Sequence, residues 1–372
     1  MRIPMSSPDI TEKEIELVNQ VLRTPYLSIG PMIERFERMV ASCSSTRHAV
    51  GVSSGTAGLH LCVCAADIGN GDEVITTPFS FVASANCILY ERARPVFVDI
   101  EPTSLNLDPN QVEDAITPRT RAILPVHAFG QPADMDPILD IARRHSLRVI
   151  EDACEAFGAE YRGRKAGTLG DAAVFAFYPN KQMTTGEGGV IVTNRDDWDA
   201  LFRSLRNQGR DVFDAWLNHS RLGYNYRLDE LSAALGVAQL ERIDELLAKR
   251  ERVAQMYNER LSEVEGVTIP FVAPTTTRMS WFVYVIRLGS NLDRNKVMQE
   301  LETRGIPSRP YFTPIHLQPF YRRMFGYQEG DFPTAESVAQ CTLALPFYGN
   351  LEEEQVDYVC GNLSEILRVK RG

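Results

Sequence analysis

Short apolar segments alternate with longer amphipathic stretches through the first part of the chain. Runs of four or five mainly apolar residues are typical of buried strands, whereas apolar residues at helical spacing indicate helices. The pattern predicts strands at residues 73–76, 95–99, 122–126 and 148–151, and helices at residues 56–67, 80–91, 109–116 and 134–145. Strands and helices that alternate at this spacing indicate an α/β protein with a mostly parallel sheet covered by helices on both faces.

The pattern changes in the last third of the chain. Apolar residues at helical spacing predict one long helix over residues 229–263, which leaves the first domain. Beyond it, a strand at 281–288 and helices at 293–304 and 352–367 indicate a smaller α+β domain. Because 372 residues are too many for one ordinary core, we expect a large domain at residues 1–250 and a small C-terminal domain at residues 251–372.

Composition narrows the class of protein. A hydrophobic share of 44% and a charged share of 24% are typical of a soluble globular protein. The net charge of −10 disfavours a nucleic-acid binder, because such binding depends on basic patches. It leaves room for a small phosphorylated ligand, which needs only a few local donors.

Cysteine usage and the absence of targeting signals bear on location. Seven scattered cysteines without paired CxxC units disfavour a disulfide framework or a zinc site, and a reducing cytosol fits better. The charged first 22 residues are unlike a signal peptide, and no apolar run reaches the ~18 residues of a membrane span. We therefore expect a cytoplasmic protein without a metal centre, a membrane anchor or a nucleic-acid partner.

Two polar residues follow apolar strands and carry the strongest chemical signal. Asp152 ends one strand, and Lys181 follows the apolar run 173–178. Ligands of parallel sheets gather at the carboxyl ends of the strands. Pyridoxal phosphate needs such a pair, because an amine forms an imine with its aldehyde and a carboxylate keeps its ring nitrogen protonated. The alternatives are a helix cap or a metal ligand for Asp152, and a solvated side chain for Lys181.

A second candidate site is the segment Ser53-Ser54-Gly55-Thr56-Ala57, directly before a predicted helix. A helix N-terminus offers free N–H groups, and a glycine allows close approach to the backbone. The segment therefore suits a phosphate group. The alternative is an ordinary glycine turn with a serine or threonine cap.

Other polar and aromatic residues are candidates for ligand contacts. Glu155 shares a face with Asp152 if the segment turns helical, which would bring it to the phenolic oxygen of the cofactor; the alternative is a solvated carboxylate. Either Phe79 or Phe81 is placed to stack on a planar ring, and core packing is the alternative for each.

Two loops complete the candidates. The polar and aromatic segment 221–228 suits a phosphate, including that of a neighbouring subunit, or a structural turn. Segments 308–311 and 314–318 are candidates for a substrate wall, although a lone histidine such as His316 is more often a structural residue.

Together these segments resemble the nucleotide-sugar aminotransferase family of the DegT/DnrJ/StrS type over almost the whole chain. The resemblance rests on the order and spacing of five segments, namely Ser54-Gly55-Thr56-Ala57, Glu151-Asp152-Ala153-Cys154-Glu155-Ala156, Asn180-Lys181 with Thr184-Thr185-Gly186-Glu187-Gly188-Gly189, Gly223-Tyr224-Asn225-Tyr226-Arg227, and His316-Leu317-Gln318-Pro319. It implies the fold type I aminotransferase architecture and a homodimer with sites at the subunit interface.

The resemblance also implies roles for individual residues. Lys181 would be the Schiff-base lysine, and Asp152 would pair with the pyridine nitrogen. The implied contacts of pyridoxal 5'-phosphate are Gly55, Thr56, Phe81, Asp152, Glu155, Lys181 and Asn225. Asn225 or Arg227 would reach the cofactor phosphate or the substrate of the other subunit, and Arg227, Tyr311 and His316 are the candidate substrate contacts.

Two positions bear on this implication. Many relatives have a serine five residues before the lysine that helps to hold the phosphate, and this chain has Ala176 there. A water or another donor would have to compensate, or cofactor affinity would be lower. Relatives that act as sugar dehydratases replace the lysine with histidine, and this chain keeps Lys181.

The function implied is transfer of an amino group from an amino acid, expected to be glutamate, to a keto sugar linked to a nucleoside diphosphate. A 4-keto-6-deoxyhexose is the expected sugar, in polysaccharide or deoxyaminosugar biosynthesis. The alternatives are a same-fold enzyme with another outcome, such as a dehydratase or an amino-aromatic synthase, and a non-catalytic cofactor-binding regulator. A dinucleotide-dependent oxidoreductase is disfavoured, because no GxGxxG follows the first strand.

Overall fold

A central β-sheet organises the chain, as seen in a computed structural model that describes residues 2–211 and 218–369. The strands are β1 (His48–Val52), β2 (Glu73–Thr76), β3 (Arg94–Phe97), β4 (Thr120–Ile123), β5 (Arg148–Asp152), β6 (Glu160–Tyr161), β7 (Arg164–Lys165), β8 (Ala172–Ala176), β9 (Gly189–Thr193), β10 (Val267–Thr268), β11 (Thr276–Arg278), β12 (Tyr284–Leu288) and β13 (Thr342–Leu345). Each predicted strand is present, with ends shifted by a few residues.

Seven strands form the central sheet, in the order β1, β9, β8, β5, β4, β2, β3. Strand β9 runs antiparallel to its neighbours β1 and β8, and the remaining pairs are parallel. The prediction of a mostly parallel sheet is therefore confirmed. Because β1, β2, β4, β5 and β8 share one direction, their carboxyl ends meet at one edge of the sheet.

Helices cover both faces of this sheet and the C-terminal region. They are α1 (Glu12–Leu22), α2 (Pro31–Ser44), α3 (Gly55–Ala65), α4 (Ala83–Tyr90), α5 (Met135–His145), α6 (Asp196–Arg206), α7 (Glu230–Leu240), α8 (Ile243–Leu261), α9 (Arg294–Thr303), α10 (Pro319–Phe325), α11 (Pro333–Cys341) and α12 (Glu353–Val369). At the start of α1, Glu14 accepts a hydrogen bond from the Thr11 N–H at 2.7 Å, as in a capping box.

Alternation along the strands explains the two covered faces. In β8, Val174 packs into a cluster with Leu59 of α3, whereas its neighbour Phe175 packs on the opposite side with Phe36 of α2. Successive side chains of a strand point to opposite faces, so a strand buried on both faces is apolar throughout. This is why the strands appear in the sequence as continuous apolar runs.

Two helix predictions were wrong. The predicted helix 229–263 is two helices, because Arg242 leaves the helical conformation (φ −118°, ψ 13°) between α7 and α8. Its guanidinium bonds to Asp9 and Glu14 near the N-terminus of the chain. The predicted helix 109–116 is a pair of short 3₁₀ turns, Pro109–Gln111 and Glu113–Ala115.

The C-terminal region has its own antiparallel sheet of β10, β12 and β13. Its core also includes Ile3, whose N–H donates to the carbonyl of Gly305 at 3.2 Å. Helix α8 runs unbroken through residue 250. The domain division at residue 250 stays a prediction. Within the described ranges, none of the helices has both the length and the apolar character needed to cross a bilayer.

Candidate active site

A cavity of about 440 Å³ opens at the carboxyl edge of the central sheet. Segments that follow β1, β2, β4, β5 and β8 line it, and loops of the C-terminal region close it. Its lining includes Ser54, Gly55, Thr56, Ser80, Phe81, Ser84, Val126, Asp152, Cys154, Glu155, Ala176, Tyr178, Asn180, Lys181, Phe282, Tyr311 and Phe312. The volume is in the range typical of small-molecule sites.

Asp152 is held at the end of β5 by its backbone and its side chain. Its N–H donates to the carbonyl of Pro125, and its carbonyl accepts from the N–H of His127. One carboxylate oxygen accepts a hydrogen bond from the Ser84 hydroxyl at 2.7 Å, and the other accepts from the Cys154 N–H at 3.1 Å. The side chain is almost fully buried, so this carboxylate is fixed before any ligand arrives.

Lys181 reaches the same cavity from the segment after β8. Its side chain is only 12% exposed, and its Nζ lies 3.6 Å from a carboxylate oxygen of Glu155. The Nζ also lies 3.8 Å from the ring centroid of Phe282, over the ring face. An aromatic face attracts a cation and excludes water. The amine is therefore placed by two contacts and partly shielded from solvent.

Glu155 lies between Lys181 and the loop after β4. Its carboxylate accepts a hydrogen bond from the N–H of Phe129 at 2.9 Å. Burial raises the pKa of Glu155 above its ordinary value, although the nearby Lys181 cation acts in the opposite direction. The alternative of a solvated carboxylate is wrong, because Glu155 is only 8% exposed.

The segment before α3 acts as a helix cap and lines the cavity. The Ser54 hydroxyl accepts a hydrogen bond from the Ala57 N–H at 3.1 Å, so it is the N-cap of α3. A Cβ at Gly55 would lie 2.8 Å from the Cβ of Ala176 and 2.9 Å from the Sγ of Cys154. Glycine is therefore required here for close packing of the helix start against β8, and this packing brings Gly55 and Thr56 to the cavity.

The two phenylalanines after β2 have different surroundings. Phe79 is fully buried and packs edge-on against Phe129 and Phe312. Phe81 is 64% exposed and lines the cavity. Of the two sequence candidates for ring stacking, the structure places only Phe81 beside the cavity.

The remaining candidate residues for cofactor or substrate contacts lie in three different parts of the structure. Tyr311 lines the cavity, and burial raises the pKa of its phenol, with a further contribution from the negative charge of Glu155. Asn225 is exposed, and Arg227 donates to the side-chain oxygen of Asn207 at 3.1 Å; neither lines the cavity of this chain.

His316 does not reach the cavity. It is completely buried, and its ring packs against Phe332. Its Nε2 lies 3.0 Å from the Glu336 carboxylate, and burial lowers the pKa of the imidazole, against the opposing effect of Glu336. The geometry therefore favours the structural role that the sequence left open and gives no support to a substrate contact.

Sequence reasoning missed several residues of the site. Ser84 holds Asp152, and Phe282 lies under the Lys181 amine, about 100 residues further along the chain. The serine gave a weak signal, because it lies on the helix that follows the candidate Phe81 segment. Phe282 gave no sequence signal of a role in the site, since its position within an apolar strand pattern predicted only core packing.

One cluster away from the cavity combines side chains that often bind metals. His60, Cys64 and Glu91 have ligand atoms within 4.8 Å of one another. The His60 Nε2 lies 2.7 Å from the Glu91 carboxylate, which also accepts from the Tyr224 hydroxyl at 3.1 Å. The buried His60 and the half-buried Cys64 and Glu91 satisfy one another, so we assign the cluster a structural role that joins α3 to the segment containing Asn225.

Comparisons with known proteins agree with this geometry. A family model described as the DegT/DnrJ/EryC1/StrS aminotransferase family matches residues 8–364. The chain is 44% identical over 370 residues to the GDP-perosamine synthase of Caulobacter vibrioides, covering 98% of each sequence.

Two solved structures extend the comparison to the fold. S. venezuelae DesV, in complex with a ketimine intermediate, superposes with a TM-score of 0.92 at 36% identity, covering 98% of each chain. The protein Spr1654 of Streptococcus pneumoniae, in its PLP form, superposes with a TM-score of 0.94 at 27% identity, covering all of both chains.

Proposed function

Because the chain belongs to the DegT/DnrJ/EryC1/StrS aminotransferase family, we propose that it uses pyridoxal 5'-phosphate to move an amino group from glutamate to a keto sugar nucleotide. The relative named GDP-perosamine synthase favours a guanosine diphosphate carrier. We propose a 4-keto-6-deoxyhexose as the sugar. The site would thus produce a GDP-linked amino sugar.

The single observation that carries this proposal is the shared cavity of Lys181 and Asp152. An amine and a fixed carboxylate both line it, with a helix N-terminus at Gly55 and an exposed aromatic ring at Phe81. The cofactor requires an amine for its aldehyde, a carboxylate for its ring nitrogen and N–H donors for its phosphate. The side chains present therefore fit the cofactor.

When bound, the cofactor supplies an aldehyde for reaction with amines and an electron-accepting ring. Lys181 holds the resting cofactor through its Nζ. The Lys181 amine would also move the protons: it would take one from the α-carbon of the amino donor in the first half of the reaction and deliver one to the sugar carbon that receives the amino group in the second half. Partial burial suits this work, because water does not compete for the proton.

The two carboxylates have different tasks in this proposal. Asp152 keeps the proton on the ring nitrogen, and its hydrogen bonds from Ser84 and Cys154 hold it in a single orientation. Glu155 contacts the ring hydroxyl. Its raised pKa allows it to carry a proton more readily than a solvated glutamate.

The remaining contacts bind and orient the cofactor. Gly55 and Thr56 bind the phosphate at the start of α3, where free N–H groups and the helix dipole favour an anion. Phe81 covers one face of the ring. Ala176 offers no hydroxyl for the phosphate, so an additional donor from a second subunit would compensate.

We propose a homodimer for this reason. Asn225 is exposed and lies outside the cavity of its own chain, so it is free to enter the site of a neighbouring subunit. Arg227 lies two residues further on and has the charge to bind a phosphate of the cofactor or of the sugar nucleotide. Tyr311 remains the substrate candidate within the same chain.

A direct test is a mass-spectrometric assay of the purified protein with glutamate and a panel of keto sugar nucleotides. The panel should vary the nucleotide between guanosine, uridine and thymidine, and the ketone between carbons 3 and 4. We expect a GDP-linked 4-amino product together with 2-oxoglutarate. Formation of 2-oxoglutarate without amination of any sugar nucleotide would contradict the proposed acceptor.

A further inference from the structure

A buried guanidinium lies behind Lys181. Arg250, in helix α8, is 5% exposed. Its Nη1 donates to the carbonyls of Trp281 at 3.2 Å and Phe282 at 3.1 Å, and its Nη2 donates to the carbonyls of Asn180 at 3.2 Å and Lys181. Across the described ranges, no carboxylate forms an ion pair with it.

This arrangement is unusual for a buried cation. A charge without an opposite partner is costly to bury, and the cost is reduced here by four carbonyl dipoles. Burial lowers the pKa of Arg250 to about 10, so the group stays charged at neutral pH. The charge and the planar shape of the guanidinium together fix where the four carbonyls lie.

The two backbone segments that Arg250 joins border the Lys181 amine from different sides. One segment carries the lysine itself. The other carries Phe282, whose ring centroid is 3.8 Å from Nζ. A shift of either segment would change the direction in which the amine points, because the side chain is held at its base by one segment and at its tip by the other.

We propose that Arg250 is a positioning residue for Lys181: by bridging the two segments, it aims the amine at the cofactor. The inference rests on the proposed function, in which Lys181 bonds to the cofactor. Arg250 touches neither cofactor nor substrate in this account. It acts through the backbone of Lys181 and through the ring of Phe282.

Loss of Arg250 should affect the binding of two forms of the cofactor differently. Pyridoxal phosphate becomes bonded to the lysine, whereas pyridoxamine phosphate occupies the same cavity without that bond. If Arg250 aims the amine, its loss should weaken capture of the first form and leave the second largely unaffected. A general loss of cavity structure would weaken both.

The experiment compares Arg250→Met, Arg250→Lys and Arg252→Met with the unaltered protein. Arg252 is the matched control, because it lies in the same helix and also donates to two carbonyls, those of Gly349 and Leu351, away from the cavity. Equilibrium dialysis gives the affinity for each cofactor form, and stopped-flow absorbance gives the rate at which pyridoxal phosphate becomes attached.

We expect Arg250→Met to lower the attachment rate and the pyridoxal phosphate affinity by about tenfold or more, since small displacements of a reacting group have large effects. Its affinity for pyridoxamine phosphate should stay within about threefold, a shift of under ~1 kcal/mol. Arg250→Lys should be intermediate, because an ammonium keeps the charge but cannot span both segments. Arg252→Met should match the unaltered protein.

Equal weakening of both cofactor forms, or no change in either, would overturn the proposal. If Arg250→Met does not fold, Arg250→Lys and Phe282→Leu apply the same test. Lys181→Ala distinguishes this proposal from the proposed function. If that variant still attaches pyridoxal phosphate, the proposed function fails; if only the Arg250 variants behave normally, the positioning role alone fails.

Discussion

At the scale of single residues, the site contrasts two carboxylates that lie three positions apart. Asp152 accepts hydrogen bonds from a hydroxyl and an N–H group, whereas Glu155 accepts one from an N–H and faces the Lys181 amine. Burial raises the pKa of Glu155. Two carboxylates in such different surroundings are suited to different tasks, and the raised pKa suits Glu155 to carrying a proton.

The raised pKa of Glu155 predicts a specific dependence of stability on pH. The folded pKa lies above the unfolded value near 4.5. The stability that protonation provides is therefore fully present below that value and is lost as the pH rises through the folded pKa. Glu155→Gln should remove this loss, so the variant should gain stability relative to the unaltered protein as the pH rises above the unfolded pKa. Urea denaturation of the cofactor-free protein measures it.

Glu101→Gln is a control of opposite sign. Burial opposes ionisation of Glu101, but hydrogen bonds from Thr103 and Ser104 outweigh this effect and lower its pKa. Its contribution is present above the unfolded pKa and lost as the pH falls, so this variant should lose stability at neutral pH. A Glu155→Gln difference that does not change with pH would contradict the assignment.

At the scale of elements, helix ends are stabilised by residues that are distant in the sequence, so they could not be predicted from the local pattern. Glu230, at the start of α7, is buried and accepts hydrogen bonds from the N–H groups of Gly30, Met32 and Ile33 at 3.1, 2.8 and 2.9 Å. These are free donors at the start of α2. One carboxylate thus ties two helices that lie about 200 residues apart.

Removing the charge at Glu230 should lower the stability of the folded protein. Glu230→Gln replaces one acceptor oxygen with an NH₂ group that faces N–H donors, and hydrogen bonds to charged groups contribute about 1.5–3 kcal/mol each. We expect the free energy of unfolding to fall by about 2 kcal/mol or more. Chemical denaturation monitored by circular dichroism measures this change.

Glu241→Gln provides a matched comparison between the same two regions. Glu241 pairs with Arg35 of α2 on the surface, with both side chains more than a third exposed. Exposed ion pairs contribute about 0–1 kcal/mol. If Glu230→Gln and Glu241→Gln lower the free energy of unfolding equally, the buried contacts of Glu230 do not contribute more than an exposed ion pair.

The sequence could predict elements that depend on local burial, but not those that depend on contacts between distant residues. Strands such as Glu73–Thr76 were found because burial on both faces leaves a continuous apolar run. The break at Arg242 was missed because apolar spacing continues on both sides of it, while its partners Asp9 and Glu14 come from the start of the chain. The local sequence pattern indicates which residues are buried, but it does not indicate which residues far apart in the chain pair with one another.

The candidate site follows the same rule. Asp152, Lys181 and Phe81 were found because each follows a recognisable strand. Arg250 and Phe282 were missed, because their importance comes from contacts with the backbone and amine of Lys181. A buried arginine within a helical pattern gives no sign in sequence of which carbonyls it contacts.

At the scale of the whole molecule, the parallel strands collect distant segments at one sheet edge. The fold predicted from the sequence, that of fold type I aminotransferases, is confirmed by the likeness to solved structures of this class. The cavity is lined by residues of one chain, from the segment that follows β1 to the C-terminal region. Asn225 and Arg227 lie outside it, in agreement with the proposal that they act in the site of a second subunit.

Hybrid dimers test that contribution. Lys181→Ala and Arg227→Ala should each be nearly inactive alone. If Arg227 acts in the site of the other subunit, a mixed dimer contains one intact site, and refolding an equal mixture should restore about a quarter of the full activity. Co-refolding followed by the glutamate assay measures the recovery.

Lys181→Ala mixed with Asp152→Asn is the control for this experiment. Both residues line the cavity of one chain, so every site of a mixed dimer retains a defect and no activity should return. Failure of the Arg227 mixture to recover activity would place Arg227 in the site of its own subunit or outside the reaction.

The position at which the cofactor is attached to the chain tests the role of Lys181. The protein is loaded with pyridoxal phosphate, reduced with borohydride, digested and sequenced by mass spectrometry. We predict that the label lies on Lys181 alone, and that Lys181→Ala carries none. A label on any other lysine, or no label on the unaltered protein, would contradict the account.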